Sequence, residues 1–303
     1  MIVVTGLSSL VLDGAGPATV DPTAFLRARK SRKFMGVQDD LAVVAAGQAL
    51  REAALAPAEL GDRAGLCAAI GYIPFNEADI APVVARSVSD GRFSMERFSN
   101  GGFQAAHPLL TFRCLPNMPA YHVSANFDIQ GPYFVSYPGT AQLYAALEEA
   151  QAALDSRAVD VVLVLAVAHQ RNFLVAHHFA RLSPAVPAHL LRDAGACLVL
   201  EREEFAERRG VPVLGELRAL EVRYELHDPI HEQVAEQEVF EGARAPSGAL
   251  GPAALLCALD GAWHGVRHAE DPADEPAVPR GTLTHRVRTR DHVTAQSEWR
   301  GRT

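Results

Sequence analysis

Two long apolar runs limit the folds that this chain can adopt. Val159–Ala168 and Ala196–Leu200 contain almost only apolar side chains, several of them β-branched. Such runs are typical of strands that are buried on both faces of a sheet. The uninterrupted part, Val161–Ala168, is far too short to cross a lipid bilayer. We therefore expect a layered protein in which a central sheet is covered on both faces.

The rest of the N-terminal two thirds alternates between strand and helix patterns. Leu41–Leu55 and Ala141–Leu154 are rich in Ala and Leu at roughly helical spacing, which predicts two helices. Shorter strands are predicted at three places: Ile2–Thr5 ending at Gly6, Leu66–Tyr72, and Tyr133–Ser136 before the turn Pro138–Thr140. Strands that alternate with helices predict an α/β fold with a substantially parallel core.

The C-terminal third has a different pattern. Glu216–Arg244 is charged and only weakly periodic, and Leu250–Trp263 returns to an apolar helical pattern. His268–Pro279 is acidic and contains several prolines, which predicts a linker. Leu283–Val287 and His292–Trp299 are predicted to form a final hairpin.

Composition excludes several classes of protein. The chain has 303 residues, of which 49% are hydrophobic and 21% charged, as expected for a globular protein with a buried core. Its formal net charge of −8 gives no global positive field for phosphates, so we expect no nucleic-acid partner. Met1–Gly6 predicts a strand that enters a turn, and no signal peptide is evident. We expect a cytoplasmic protein without a membrane partner.

The cysteines and histidines predict no metal centre. The cysteines form no CxxC pair and sit among apolar neighbours, so we expect reduced, buried thiols at Cys67, Cys114, Cys197 and Cys257. His227 and His231 have i, i+4 spacing, but Pro229 between them disfavours a helix and no third ligand is evident. His177 and His178 are adjacent, and we expect both at the surface.

Motifs for cofactor binding and for a serine nucleophile are also missing. No GxGxxG follows a strand and no Walker sequence is present, so no cofactor is expected. The turn at Gly139–Ala141 is not a GxSxG nucleophile elbow. One dense basic cluster, Arg27–Lys33, is interpreted either as a solvated loop or helix start, or as a docking patch for an acidic protein.

Several segments, taken in order, resemble a ketosynthase of the thiolase fold. They comprise an opening strand, a first helix, the approach to a nucleophile, an apolar strand and a closing strand with its helix: Met1–Gly6, Lys33–Met35, Leu115–Met118 with Gly131–Pro132, Val159–Val162, and Asp193–Glu201 with Glu204–Gly210. The resemblance covers residues 1 to about 215. It implies a thiolase-like layered α-β-α fold with a complete N-terminal half, 1–215, and a shortened C-terminal half, 216–303.

The chain departs from this family at each catalytic position. Family enzymes place a Cys at the start of the helix that follows the Gly-Pro strand, where the helix N-terminus favours a thiolate. In this chain the matching residue is Thr140, which no evident base activates. The family's His-Gly-Thr stretch is not found, and its second histidine position is Gly248. The resemblance therefore implies a non-catalytic member.

Non-catalytic members of this kind are chain-length factors. The resemblance implies a heterodimer with an active ketosynthase subunit in polyketide or fatty-acid chain elongation. An acyl carrier protein is expected as a further partner, bound through the active subunit. The suggested subclass is the small, truncated partner of aryl-polyene-type systems. The strand that pairs across the dimer is expected at a sheet edge, and it comprises Tyr133, Phe134, Val135 and Ser136. Met118 and Tyr121 are expected near the interface and the acyl tunnel.

Three other interpretations are weighed from the sequence, and the first has little support. A Gln replaces the Cys in decarboxylating members, but Gln142 lies two residues past the expected position and the histidines are also missing. An acyltransferase or hydrolase would reuse the old site with Thr140 or Ser136 as the nucleophile. A scaffold protein unrelated to acyl chemistry would use the basic patch Arg29–Lys33.

Overall fold

The computed structural model describes residues 1–12, 20–224, 237–265, 281–289 and 293–302. The strands are β1 Ile2–Leu12, β2 Ala64–Ile70, β3 Val88–Ser89, β4 Arg92–Phe93, β5 Tyr133–Ser136, β6 Val161–Ala168, β7 Asp193–Arg202, β8 Gly215–Tyr224, β9 Gln237–Glu241, β10 Thr282–Arg288 and β11 Val293–Gly301. The helices are α1 Val37–Glu52, α2 Glu77–Ser87, α3 Met95–Arg97, α4 Leu110–Cys114, α5 Met118–Phe127, α6 Gln142–Asp155, α7 Phe173–Ala180, α8 Glu203–Arg209 and α9 Ala254–His264.

Nine strands form one sheet in the order β5-β2-β6-β7-β1-β8-β11-β10-β9. The β2 strand pairs in parallel with β5 and β6, whereas every other neighbouring pair in this sheet is antiparallel. The expectation of a substantially parallel core is therefore wrong, because only β5, β2 and β6 have parallel neighbours. The strand predicted from Tyr133 to Ser136 has those bounds and lies at the sheet edge, as expected.

The two faces of the sheet pack against different helices. On β6, Val162, Val164 and Ala166 share a core cluster with α6 and α9. The alternate residues of β6, from Val161 to Val167, belong to a second cluster with α1 and α5. Because successive side chains of a strand point to opposite faces, an all-apolar strand can supply both cores at once. The predicted layered arrangement is confirmed.

The C-terminal strands extend the first of these cores. Leu283, Val287, Ala295 and Trp299 are buried in the same cluster as α6 and α9. The alternate positions of β10 and β11 face outward and are polar. They form the cross-strand pairs Thr282–Arg300, Thr284–Glu298, Arg286–Gln296 and Arg288–Thr294. We call these eight residues the polar outer face, and their pattern is that of an antiparallel sheet with one wet side.

Other predictions have mixed outcomes. The predicted C-terminal hairpin is confirmed as β10 and β11. The first strand does not end at Gly6 but continues to Leu12 after a bulge, and a Cβ on Gly6 would collide with the carbonyl oxygen of Ala49. This glycine therefore serves close packing of α1 on β1 and not a turn. The acidic linker 268–279 and the His227/His231 pair lie outside the described residues.

A charged cluster closes the edge of β1 beyond the bulge. From Gly6 onward β1 pairs with β7 on one side, and the described residues include no strand on the other. Glu52 of α1 instead accepts a hydrogen bond from the Leu7 N–H at 2.7 Å. His264 of α9 lies 2.9 Å from Glu52 and 2.6 Å from Asp260, and these two carboxylates raise its pKa to about 9.

This cluster predicts a pH-dependent contribution to stability. The pKa of His264 in the folded protein lies above its ordinary value of 6.5, so the stabilisation is complete below that value. It is then lost as the pH rises through about 9. We expect His264→Gln to lower the free energy of unfolding, by more at about pH 6 than at about pH 10. Urea unfolding of both proteins measures this difference, and a pH-independent difference would contradict the prediction.

No helix in the described part of the chain is both long enough and apolar enough to cross a bilayer.

Candidate functional site

The candidate site lies where the three parallel strands end. The carboxyl ends of the parallel strands β5, β2 and β6 lie side by side, at the same end of these strands. The turn Tyr137–Ala141 follows β5 at this end and connects it to α6. Thr140 is half-buried in this turn, two residues before α6 begins. The structure thus has a helix directly after the turn that carries Thr140, and the role of this residue stays a prediction. The Gln142 side chain at the first residue of α6 is also half-buried.

Ser136, the second candidate nucleophile, is engaged by the backbone. Its Oγ donates to the carbonyl oxygen of Gln142 at 2.9 Å, and it lies 3.4 Å from the carbonyl oxygen of Ala68. The side chain is buried between β2 and the start of α6. This hydroxyl therefore ties the turn to the sheet, and its proton is already committed to a carbonyl oxygen.

Gly248, the position matched to the second histidine, has no room for a side chain. Its φ is +82°, a conformation that favours glycine. A Cβ at this position would lie 2.6 Å from the carbonyl oxygen of Leu190 and 3.1 Å from the side chain of Arg192. A histidine at residue 248 would require the backbone to move.

The residues that follow Gly248 are packed into the core. Gln170, which follows β6 and is 2% exposed, donates from Nε2 to the carbonyl oxygen of Ala249 at 2.5 Å. Leu250 and the 3-10 helix Gly251–Ala253 follow at once, and Leu250 and Ala253 are buried in the core cluster that contains α6. This part of the site is a packed core and not an open cleft.

A buried histidine does contact α6, although the sequence analysis did not identify it. The ring of His285 on β10 lies 2.7 Å through Nδ1 from the Tyr144 hydroxyl and 2.9 Å through Nε2 from Glu238. Ser297 lies 3.2 Å from the same hydroxyl, and burial raises the pKa of Tyr144. Both ring nitrogens are thus engaged, so this imidazole is a structural link between α6 and the C-terminal strands.

A second histidine at the end of β6 lies on the other face of the sheet. His169 Nδ1 is 2.9 Å from Asp193, whose other oxygen accepts from Arg171 Nε at 2.9 Å. Burial would raise the pKa of Asp193, but the hydrogen bonds from His169 and Arg171 outweigh it and lower that pKa. Side chains along β6 alternate between the two faces of the sheet, so His169 lies on the face that packs against α1. Thr140 precedes α6, which packs against the opposite face.

The thiols are poor nucleophiles. Cys67, Cys197 and Cys257 are buried, as predicted, whereas Cys114 is only partly buried. Burial raises the pKa of Cys67 to about 12 and also raises the pKa of the other three. A protonated thiol is unreactive as a nucleophile. In the described part of the chain, no group of three or more His, Cys, Asp or Glu side chains could hold a metal ion.

The residues predicted at an interface or tunnel fall into two groups. Tyr133 on the edge strand is 71% exposed, and Phe134 and Val135 are half-buried. Tyr121 is 56% exposed on α5, whereas Met118, at the start of that helix, is buried and only 8% exposed. The predicted set therefore contains exposed or half-buried side chains on β5 and α5, and two buried ones, Met118 and Ser136.

A different set of residues lines an apolar pocket beside the turn. The pocket has a volume of about 280 Å³. Its lining comes from the segments that follow the three parallel strands: Tyr72, Ile73, Phe75, Tyr137, Pro138, Leu174, Val175 and His178. None of the predicted interface residues is among them. His178 is exposed on α7, as predicted for a surface histidine, as is His177.

The basic cluster Arg27–Lys33 lies at the surface. Arg29–Phe34 forms a 3-10 helix, and the side chains of Arg29, Lys30 and Lys33 are exposed. Arg32 forms an ion pair with the buried Asp40 at 2.7 Å, so one member of the cluster anchors this helix to α1.

Comparison with known sequences identifies one family. Residues 8–199 match the family described as beta-ketoacyl synthase, N-terminal domain. This segment begins within β1 and ends within β7, so it leaves out residues 2–7 of β1 and residues 200–202 of β7. No curated protein matches the sequence.

Solved structures with a similar fold include two that match from end to end. The ishigamide ketosynthase/chain length factor has 16% identity and a TM-score of 0.66, with 100% of this chain and 99% of that chain covered. A beta-ketoacyl synthase from Burkholderia phymatum STM815 has 14% identity, a TM-score of 0.66 and the same coverage. A type II polyketide ketosynthase, AntDE with its acyl-carrier protein AntF, has 17% identity and a TM-score of 0.58, covering 74% and 69%. The thiolase-like ketosynthase fold, with a large central sheet and helices, is confirmed.

Proposed function

Because this chain belongs to the beta-ketoacyl synthase family, we propose that it is a non-catalytic, chain-length-factor-like subunit of a ketosynthase. In this proposal an active partner supplies the reactive cysteine and the histidines, and this chain completes the acyl tunnel. The N-terminal half, 1–215, carries the family fold, and the shortened C-terminal half, 216–303, completes the core around α6 and α9. The pair would extend polyketide or fatty-acyl chains that an acyl carrier protein delivers.

One comparison with the family pattern carries the proposal: the residue matched to the nucleophilic cysteine is Thr140, and the residue matched to the second histidine is Gly248. Thr140 is followed by packed apolar residues, and the matched histidine position, Gly248, excludes a side chain. The His285 imidazole on the α6 side is held through both nitrogens. A hydroxyl without a general base is a weak nucleophile at neutral pH. The described residues thus favour a supporting role over catalysis.

The edge strand supports a protein partner. The β5 strand carries two aromatic residues and has its second edge free within the described chain. Such an edge is an aggregation hazard unless another chain covers it. Tyr137, just after the strand, is also about half exposed, which extends the apolar surface. One similar structure is named a ketosynthase/chain length factor, and another is a ketosynthase in complex with its acyl-carrier protein. Both names agree with a paired arrangement.

Replacing Thr140 tests the proposal directly. We expect Thr140→Ala to leave the condensation rate of the reconstituted pair within about twofold of the unmodified pair, because a hydroxyl without a base contributes no nucleophile. The assay mixes the protein, its ketosynthase partner and malonyl-loaded carrier protein, and it follows product by mass spectrometry. A cysteine-to-alanine change in the partner is the positive control and should abolish product.

The outcome also decides the alternative function. A loss of about a hundredfold or more on Thr140→Ala would contradict the proposal and favour an acyltransferase or hydrolase. That enzyme would also form a covalent acyl adduct at Thr140 or Ser136 when the protein alone meets an activated thioester. Intact mass spectrometry detects such an adduct, and Ser136→Ala together with Thr140→Ala would then remove it.

A further inference from the structure

A second pocket lies on the face of the sheet that packs against α1 and α5. It has a volume of about 510 Å³ and opens between the carboxyl ends of these two helices, beside the segment that contains the 3-10 helix Thr23–Phe25. We call it the α1–α5 pocket. Its helices belong to the second core cluster, whereas the turn that carries Thr140 leads into α6 of the first cluster. The α1–α5 pocket is therefore separate from the candidate site described above.

The aromatic wall of the α1–α5 pocket is fixed by specific contacts. Phe25 packs so closely on Gly47 of α1 that a Cβ at residue 47 would lie 2.1 Å from the ring. The same ring meets Phe127 edge-on, with the two centroids 6.4 Å apart. The Arg27 N–H donates to Oδ1 of the buried Asn126 at 2.8 Å, which ties this segment to α5. The wall is thus formed before any ligand binds.

Two guanidinium groups border the α1–α5 pocket. Arg51, in the last turn of α1, lies over the Phe25 ring at 4.2 Å from its centroid, and it forms no ion pair with a carboxylate of the described residues. Arg27 lies 3.8 Å from Asp128, which also accepts a hydrogen bond from Gln130 at 2.9 Å. The lining carries no other charged side chain. One positive charge is therefore in excess, in a chain whose net charge is −8.

This combination indicates the chemistry of a ligand. A guanidinium without a partner can donate two parallel hydrogen bonds to one carboxylate, and such charge-assisted pairs are strong. A planar aromatic body would pack against the two phenylalanine rings and bury apolar surface. A flexible chain would lose more rotational freedom in the same space. The volume of about 510 Å³ lies within the range of small-molecule sites, about 300 to 1,000 Å³.

We propose that the α1–α5 pocket binds a planar aromatic carboxylate. The carboxylate is held by Arg51, and the ring system packs against Phe25 and Phe127. Arg27 adds to the attraction, but it faces Asp128, so Arg51 is the main anchor. This binding site does not depend on the proposed function, because none of its residues contributes to the turn at Thr140 or to β5.

Calorimetric titration with three probes tests this assignment. The protein is used in the form in which it purifies, alone or with its partner. The first probe is 2-naphthoate. The second, 2-naphthamide, has the same rings without the charge, and the third, decanoate, has the charge without the rings. We expect 2-naphthoate to bind about tenfold more tightly than either of the others, because only this probe uses both the guanidinium and the aromatic wall.

Three variants locate the binding site. Arg51→Gln should weaken 2-naphthoate about tenfold and leave 2-naphthamide nearly unchanged, since it removes the charge that only the carboxylate uses. Ala58→Trp should fill the pocket and weaken both naphthyl probes. Ala58 is exposed in the lining, so this change leaves the core intact. Arg29→Gln removes an exposed cation outside the lining, and this matched control should bind 2-naphthoate as the unmodified protein does.

Several results would contradict this assignment. Absence of 2-naphthoate binding is one, and unchanged affinity for it in either Arg51→Gln or Ala58→Trp is another. An equal loss in Arg29→Gln and Arg51→Gln would show that the basic surface attracts the anion without a specific site. Tighter binding of decanoate than of 2-naphthoate would exclude the aromatic class of ligand.

Discussion

A variant with both Tyr133→Pro and Val135→Pro should no longer co-purify with a ketosynthase partner. The Leu66 N–H of β2 donates to the Pro132 carbonyl oxygen at 3.0 Å. The backbone N–H and C=O groups at even-numbered positions of β5 therefore point toward β2. Tyr133 and Val135 then direct their N–H groups toward the free edge, because successive backbone groups of a strand alternate in direction. Proline removes these two donors and leaves the pairing with β2 intact.

The expected loss of affinity is large. Each backbone hydrogen bond across an interface contributes about 1 kcal/mol, so two lost bonds raise Kd about thirtyfold. The proline rings also project toward the facing strand, which adds a steric cost to that value. Co-expression with a tagged ketosynthase followed by affinity purification and a titration of the purified proteins measures the effect.

A matched variant separates the backbone from the side chains. Tyr133→Ala with Val135→Ala removes the same side chains and keeps both N–H groups. We expect this control to retain much more partner than the proline variant does. Equal binding by the proline variant and the unmodified protein would show that β5 is not the contact, and the heterodimer would then need another surface.

Trp299→Ala should destabilise the protein by about 3 to 5 kcal/mol. Trp299 on β11 is 0% exposed and is among the largest fully buried side chains. It shares the core cluster of α6 and α9, and its Nε1 donates to Ser297 Oγ at 2.9 Å. Truncation leaves a large cavity in the core that joins the C-terminal strands to the N-terminal half. Urea unfolding of the protein, alone or with its partner, measures the change in the free energy of unfolding.

Trp299→Phe is the control for this prediction. It keeps most of the apolar volume and loses only the donor to Ser297, whose hydroxyl remains 3.2 Å from Tyr144. We expect a smaller cost, about 1 to 2 kcal/mol. If the alanine variant were as stable as the unmodified protein, residues 216–303 would contribute little to the common core.

Local patterns predicted the elements near the site well. The all-apolar run of β6 indicated burial on both faces, and each face does support its own core. The edge strand Tyr133–Ser136 and the hairpin of β10 and β11 were also predicted from short patterns. In each case the signal lies within the segment itself, in its periodicity or in the turn residues that flank it.

Strand direction could not be predicted from these patterns. A strand buried on both faces has the same composition whether its neighbour is parallel or antiparallel. The β7 strand runs antiparallel to β6. Its direction is set by the connection through α7, and that connection has little periodicity from which the direction could be predicted. The end of β1 was misjudged for a related reason: Gly6 is required by α1, which lies about 40 residues later in the chain.

The candidate site shows the same division. Thr140 was identified through the family resemblance, by matching Gly131–Pro132 and the helix that follows, and that helix has a local signature in the sequence. The link from Tyr144 to His285 joins residues 141 positions apart, and the hydrogen bond between Tyr72 and His178 joins residues 106 apart. Neither has a signature in the sequence, since the partners become neighbours only through the sheet order. Met118 and Tyr121 were expected near the interface and the acyl tunnel from the family resemblance, and neither lines the apolar pocket beside the turn.

The polar outer face of β10 and β11 has a consequence for how such chains can change over time. Threonine, glutamine, arginine and glutamate already make that side compatible with water. Apolar side chains at the same positions would expose a hydrophobic patch and favour aggregation. Substitutions that accumulate on this face are therefore restricted to polar residues, and a library of variants at these eight positions, sorted by solubility, measures that restriction.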